Sequence, residues 1–548
     1  MRKERPHYNV GNAPSHPLPQ GPTPMNPQNG FSGYDWLVLA IYAGVLVVSG
    51  IWLGRKKPSG TEDYFLAGRG MPAWAVAVSI LATSLSAATF VGGPEQAFRG
   101  NLTYLSSNIG AMLAAVFVAW VMIPAFYRQR VATVYELLEF RFGSTARRAA
   151  SAMFLIGRVF ASGARIFIAA LPASLIVYGD LAPRHLAAAI AALSFAGIVY
   201  TLAGGVRSII WSDVIQTVVF LGAAVAAVIL LLDRIPLPFG EILSALAQPG
   251  PGESSKLVAL DAGLDWNMPR LGFDPSVPYT LLTAFTGMAL LNIGAYGTDH
   301  DLAQRMLTCR SAAKGSWSVI IAILIGLPVS FLFLAIGLLL YVFYQLPEAM
   351  GAAAPGYAID DTRQVFLTFM LRELPPGMAG VMLAGLFAAG LSSLNSALNA
   401  MGASFVNDWY RSAVPGQDER HYLRVGRCAV AGCGIVLGGF AMGCIYWQQA
   451  AGQSLIDFAL GVMAFAYSGL VAVFLTALMT RRGNGTSAVL ALATGFLAVL
   501  LLQPWAWSHW APAGWEKTQI AFPWQIVIAT SLALGVCCLG RPSAGEGE

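Results

Sequence analysis

GLFAAGLSSLNSALNAM, residues 385–401, is an apolar stretch with a polar edge. Ala389, Ser392, Ser393 and Ser396 recur at i, i+3, i+4 and i+7, which places all four on one face of a helix. If that helix lies within a membrane, serine hydroxyls and any carbonyl released by local unwinding are the oxygens this face offers, and a hard cation binds oxygen. Small residues at this spacing also build packing seams between membrane helices. The stretch alone supports both readings, so the rest of the chain has to decide between them.

Composition points to a membrane setting. Of 548 residues, 56% are hydrophobic and only 11% charged, with a mean hydropathy of +0.62. A soluble globule of this size would have too little polar surface to cover itself, so the chain is read as an all-α polytopic membrane protein. The formal charge of +5 is scattered over short loops, with no basic run beyond Arg55, Lys56 and Lys57. It is explained by topology and not by a nucleic-acid partner. Cys309, Cys428, Cys433, Cys444, Cys537 and Cys538 lie in or near apolar segments without metal-ligand spacing, and are expected to be buried, inert thiols.

Residues 1–33 are rich in Pro, Asn and Gly and read as a disordered tail with no signal peptide of the usual layout. Thirteen spans follow, at about 35–54, 73–98, 104–127, 149–178, 184–203, 212–233, 278–299, 316–344, 378–407, 424–446, 454–479, 486–503 and 524–540. Alternate loops starting with the first, together with the C-terminus, hold twenty of the Lys and Arg residues, and the N-terminal tail and the opposite loops hold eleven, with Arg184, Arg424 and Arg427 at span edges counted with their loops. That asymmetry places the N-terminus outside and the C-terminus in the cytoplasm. The long segments 234–277 and 345–377 then lie outside, where they are expected to cap an entrance.

The second span carries Gly92, Gly93 and Pro94, which a straight helix accommodates only at a cost. A break is predicted near Thr83, Ser84, Ser86 and Thr89. The seventh span ends NIGAYGTDHDLAQR, again with glycines beside polar residues. Interrupted helices at matching places in two halves mark the central site of an inverted-repeat transporter. The division expected is an N-terminal helix and loop (34–72), a first five-helix repeat (73–233), an external loop (234–277), a second repeat (278–480) and two added helices with a tail (481–548).

Five segments taken together resemble a known family: GLFAAGLSSLNSALN (385–399), TLAGGVRSIIWSDVIQ (201–216), SILATSLSAATFVGGPEQAF (79–98), VYELLEFRFG (134–143) and TDHDLAQR (298–305). They are similar, in order and spacing from about residue 35 to 480, to the sodium/solute symporters, the group of bacterial galactose and sialic acid symporters and animal sodium/glucose cotransporters. The resemblance implies a leucine-transporter-type 5+5 inverted repeat, with sodium held between the broken second span and the ninth. Carried over by position, the first sodium site is formed by the carbonyls of Ala82, Leu85 and Ala389 and the hydroxyls of Ser392 and Ser393. A second sodium is implied at Asp213, Ser392 and Ser396, with Asn395 where two-sodium relatives have a serine; the alternative for Asp213 is an interfacial or helix-capping carboxylate. Solute contacts are implied at Ser84, Ser86, Thr89, Tyr104, Asn108, Arg165 and Asp299.

Arg158 and Arg165 lie seven residues apart inside the fourth span, on one helical face. A guanidinium there needs an anion or a wet cavity. Arg165 matches the arginine that takes a carboxylate in sialic acid symporters; the alternatives for both are internal pairing with an acid or extension toward the cytoplasm. Thr89, where sugar transporters have glutamine, leans the choice toward a sialic acid or another carboxylated sugar. His300 reads as a solvated or capping residue at a helix end.

The chain contains no P-loop, nucleophile elbow or HExxH motif, so it is not read as an enzyme. The expected function is sodium-coupled import of a small polar solute by alternating access, in the plasma membrane of a bacterium. The partners expected are sodium, the solute and the lipid bilayer, with the chain working as a monomer. A solute sensor of the same fold that does not transport, and a proton-coupled porter, are the alternatives.

Overall fold

A computed structural model describes residues 31–53, 60–203, 205–250, 253–264, 272, 274–357, 359, 361–451, 453–512 and 518–541. Most of the N-terminal tail and the Arg55–Lys57 run lie outside these residues. Among the described residues, eleven helices are long and apolar enough to cross a membrane, and thirteen if two bent pairs each count as one span. That total equals the number of apolar stretches in the sequence.

The helices that position the site are named in chain order: α1 (Gly33–Leu53), α2 (Ala73–Ser84) and α3 (Ala88–Arg99) as two halves of one span, α4 (Thr103–Arg128), α5 (Ser144–Tyr178), α6 (Pro183–Ala203) and α7 (Val206–Arg234). In the second half come α8 (Leu281–Thr298), α9 (His300–Leu307), α10 (Ala312–Gln345), α11 (Met378–Ser404), α12 (Glu419–Ala451), α13 (Leu455–Met479), α14 (Gly485–Leu501) and α15 (Phe522–Leu539). The last two pack against each other and against α13.

Two interruptions shape the interior. The axes of α2 and α3 differ by 63°. The break falls at Leu85, whose φ of −82° and ψ of 119° are extended. It lies at the Thr83–Thr89 polar cluster, several residues ahead of Gly92–Pro94. Ser86 stabilises the restart, its hydroxyl accepting from the Ala88 backbone N–H at 3.2 Å. The second break falls at Asp299, also extended, with a carboxylate that accepts from Asp301 N at 2.9 Å and caps α9. The two breaks are joined at one end: Met71, before α2, donates its backbone N–H to Thr308 O, after α9, at 3.0 Å.

Close backbone approach fixes the packing around them. A Cβ on Gly337 of α10 would lie 2.2 Å from Pro94 O of α3, so only glycine allows the two helices to meet there. At the head of α11, Gly377 adopts φ of 91°. The N–H groups of Gly377 and Gly380 donate to Asp35 Oδ1 at 2.9 and 2.7 Å, which docks α1 onto α11.

The described parts of the two long loops fold back over the helix ends. Lys256 donates to Phe98 O at 3.1 Å and sits 4.1 Å over the Tyr341 ring, while Tyr341 donates to Glu253 at 2.8 Å. Phe366 packs on Phe90 with ring centroids 5.4 Å apart. At the opposite end, Arg147 pairs with Glu136 at 3.0 Å, Glu139 at 2.6 Å and Asp408 at 2.9 Å, joining the VYELLEFRFG segment to the turns that follow α11. Three cysteines are buried as expected, but Cys428 is exposed on α12.

Candidate functional site

Leu85 is extended and interrupts the helical ladder, and the carbonyl of Thr83 just before it meets α11. Ser393 donates to Thr83 O at 3.2 Å. Beside it, Ala82, Leu85, Ala389 and Ser392 line a small cavity with Gln216 and Thr217 of α7. Its volume of about 10 Å³ is close to that of one water-sized sphere. Four of the five residues implied as the first ion site therefore share one cavity wall, and the fifth, Ser393, bonds to the same unwound turn. Gln216 and Thr217 went unread in the sequence; their one signal is position, three and four residues after Asp213.

The residues implied for a second ion meet differently. Asp213 lies two turns inside α7 and is fully buried, which removes the capping alternative. Ser392 donates to Asp213 Oδ1 at 2.6 Å, and Ser79 donates to Oδ2. Between Asp213 and Ser396 sits the guanidinium of Arg305, 3.3 Å from Asp213 Oδ2 and hydrogen-bonded to Ser396 Oγ. Asn395 faces away, accepting from Thr201 of α6 at 3.2 Å.

From there charges alternate across the core. Arg305 reaches Asp301 at 2.9 Å, Asp301 takes Arg158 at 2.6 Å, and Arg158 also bonds Asp299. Tyr467 of α13 donates to Asp299 Oδ2 at 2.6 Å. Each of the five charged residues is at most 1% exposed. Arg158 therefore pairs internally, one of the alternatives open in the sequence. His300 corrects the reading of a solvated cap: it is fully buried between the rings of Tyr135 and Phe154.

A larger cavity of about 130 Å³ opens beside the first break. Ser84, Thr89, Tyr104, Asn108 and Arg165, five of the seven residues that the resemblance implied for the solute, line it. Ser86 and Asp299 do not: Ser86 is spent on the helix restart and Asp299 on Arg158, Tyr467 and the α9 cap. Ser107, Asn292, Tyr296 and Ser330 also line the wall and were missed. Asn292 sits in the quoted NIGAYG segment, one turn ahead of Tyr296, so the second break was the signal for both. Arg165 contacts Thr83 O at 3.5 Å and Met463 Sδ at 3.8 Å, and pairs with no carboxylate among the described residues. Arg158 touches the same wall but is committed to its two aspartates.

An unwound turn facing a serine-lined helix, beside a polar cavity, is the geometry of an ion-coupled carrier. The sequence profile of the Sodium:solute symporter family matches residues 64–495. The chain belongs to the sodium:solute symporter family. Its members are transporters and not enzymes. The sodium/sialic acid symporter NanT of Aliivibrio fischeri is 26% identical over 471 residues, covering 86% of this chain and 88% of that one. The sodium/glucose cotransporter of Vibrio parahaemolyticus is 25% identical over 503 residues, with 87% and 86% covered. A solved structure of a Na+-coupled sialic acid symporter, substrate-bound and outward-open, matches with a TM-score of 0.75 over 93% of this chain and 97% of that one at 24% identity. The fold of this symporter is thus the leucine-transporter-type architecture that its two broken spans pointed to. Relatives of nearly equal identity carry different solutes, so the choice of solute has to be read from the cavity wall.

Proposed function

We propose that this symporter imports a small polar solute carrying a carboxylate, of the sialic acid kind, driven by sodium moving down its electrochemical gradient. The observation that carries this reading is Arg165, a guanidinium on the wall of a polar cavity that pairs with no carboxylate among the described residues. Holding an unpaired charge inside a membrane is expensive, and a bidentate carboxylate is the ligand its planar fork fits best. Ser84, Thr89, Asn108 and Asn292 supply hydroxyls and amides for a polyhydroxylated body, and Tyr104 and Tyr296 supply aromatic faces. The names of the sialic acid symporters among its relatives agree with this choice.

Sodium would be held by the carbonyls of Ala82, Leu85 and Ala389 and the hydroxyls of Ser392 and Ser393. Ion binding there fixes the unwound turn against α11, and the same turn carries Ser84 and Thr89 into the solute cavity. Ion and solute thereby share one conformational cost, and each raises the other's affinity by the same factor. One charge crossing with the field supplies about 2.3 kcal/mol per 100 mV. We place the N-terminus outside and the C-terminus in the cytoplasm of a bacterial plasma membrane, assign residues 73–233 and 278–480 as the two repeats, and take the monomer as the working unit.

A thermal-shift screen of the purified protein tests this reading, because a ligand that binds only the folded state raises the melting temperature. N-acetylneuraminate should stabilise the protein in sodium and much less in potassium, and galactose should stabilise it less than N-acetylneuraminate in either salt. Equal shifts for the neutral and the carboxylated sugar would contradict the role of Arg165.

A further inference from the structure

We propose that a second large cavity, behind α13 and separate from the solute, binds an uncharged saccharide of two or more rings. This goes beyond sodium-coupled import and stands on a different set of residues.

The cavity has a volume of about 170 Å³, against about 130 Å³ for the solute cavity, so its occupant is the larger molecule. Helix α13 is the partition between the two. Leu460 and Met463 line the solute cavity, whereas Phe458, Val462 and Phe465, at i, i+4 and i+7, share the opposite face and line the second. The far wall is built after the end of α14, from Gln503, Trp505, Gln519 and Gln525. These four follow residue 495, where the match to the family profile ends, so the family assignment does not explain them.

Among the described residues, no Asp, Glu, Lys, Arg or His lines this cavity. A carboxylate, phosphate or ammonium group would give up water there without a counter-charge, which excludes ions as occupants. A hydrocarbon fails for the opposite reason. Gln503 Nε2 donates to Val499 O at 3.3 Å and to Gln525 Oε1 at 2.9 Å, and Gln525, only 3% exposed, donates its Nε2 to Ile520 O at 2.7 Å. These bonds fix both amides yet leave Gln503 Oε1 and one N–H of Gln525 unused. The side chains of Gln453 and Gln519, on the same wall, make no hydrogen bond among the described residues. An apolar ligand would strip water from these groups and return nothing.

Hydroxyl groups, each both donor and acceptor, match a wall of amides. Trp447 and Trp505 supply broad apolar faces against which the C–H face of a pyranose ring packs. Trp447 is held edge-on by Phe458, with ring centroids 5.6 Å apart, so its plane is set before a ligand arrives.

Binding of 14C-maltose to the full-length chain, in lipid nanodiscs free of glycoside detergent, tests the site. Binding should saturate at one molecule per chain with the same affinity in sodium and in potassium, and saturating N-acetylneuraminate should not displace it. Trp505 is 59% exposed, so Trp505→Ala should fold normally and weaken maltose binding by roughly tenfold. Trp510→Ala, on the same short helix but outside the cavity, should bind maltose as the wild type does. Dodecyl maltoside displacing the label at a lower concentration than maltose assigns the site to the heads of glycolipids, and equal displacing concentrations assign it to free sugars. Absence of saturable binding, displacement by N-acetylneuraminate, or unchanged binding to the Trp505→Ala protein would overturn the proposal. None of these results bears on sodium-coupled import, which uptake measures separately.

Discussion

The hydroxyl of Ser392 donates to Asp213 Oδ1 at 2.6 Å while the same residue lines the small cavity beside the broken helix. One side chain thus touches both the candidate ion position and the end of a buried chain of five alternating charges. Neighbouring Ser393 reaches the unwound turn itself, at Thr83 O.

Ser393→Ala removes the hydroxyl that ties α11 to that turn. Sodium-stimulated uptake should fall to the background measured in potassium, with expression and elution profile unchanged. An unaltered sodium dependence would rule Ser393 out of the ion site.

Much of this site was legible in the sequence, for reasons local to each segment. The stripe Ala389, Ser392, Ser393 and Ser396 follows from helical spacing, and both breaks were signalled by glycines beside polar residues. What remained hidden depends on contacts between residues far apart in the chain. Arg305 was counted as an ordinary loop charge, because its partners Ser79, Asp213 and Ser396 come from three other helices. Asp301 and Arg305 stand at i and i+4, and that spacing was the one available sign of a pair. Asp299 was drawn toward the solute by the family pattern, although the break that frees it also requires a cap, which it supplies. Asn395 missed the Asp213 face because adjacent positions on a helix are about 100° apart, and its rotation turns it to Thr201.

Arg165→Ala should lower the affinity for N-acetylneuraminate by roughly tenfold to a hundredfold, the worth of about 1.5–3 kcal/mol for a charge-assisted hydrogen bond. Any affinity for neutral sugars should be spared. Isothermal titration with both ligand classes reads the difference, and an equal loss for both would assign Arg165 a structural role.

Arg158→Leu leaves Asp299 and Asp301 buried without their shared cation. Removing one partner of a buried pair costs about 3–5 kcal/mol, so the variant should show a marked fall in melting temperature or fail to accumulate. Adding Asp299→Asn, which removes one stranded charge, should recover part of the loss. A single variant as stable as the wild type would show that the charge chain does not hold the core together.

Gly337→Ala places a methyl group 2.2 Å from Pro94 O, where backbone has to move. The predicted cost is about 1–3 kcal/mol of overpacking, together with slower transport, since α3 carries Thr89 on the wall of the larger cavity. Transport at the wild-type rate with unchanged melting would mean that the α3–α10 contact is looser than the structure shows.

Flux of radiolabelled N-acetylneuraminate into proteoliposomes, with an inward sodium gradient and an interior-negative potential, tests the central claim most directly. Uptake above the equilibrium level in sodium, collapsing when potassium replaces it, is the result that coupling at the broken helix predicts. Uptake that is the same in both salts, or that never exceeds equilibrium, would contradict it.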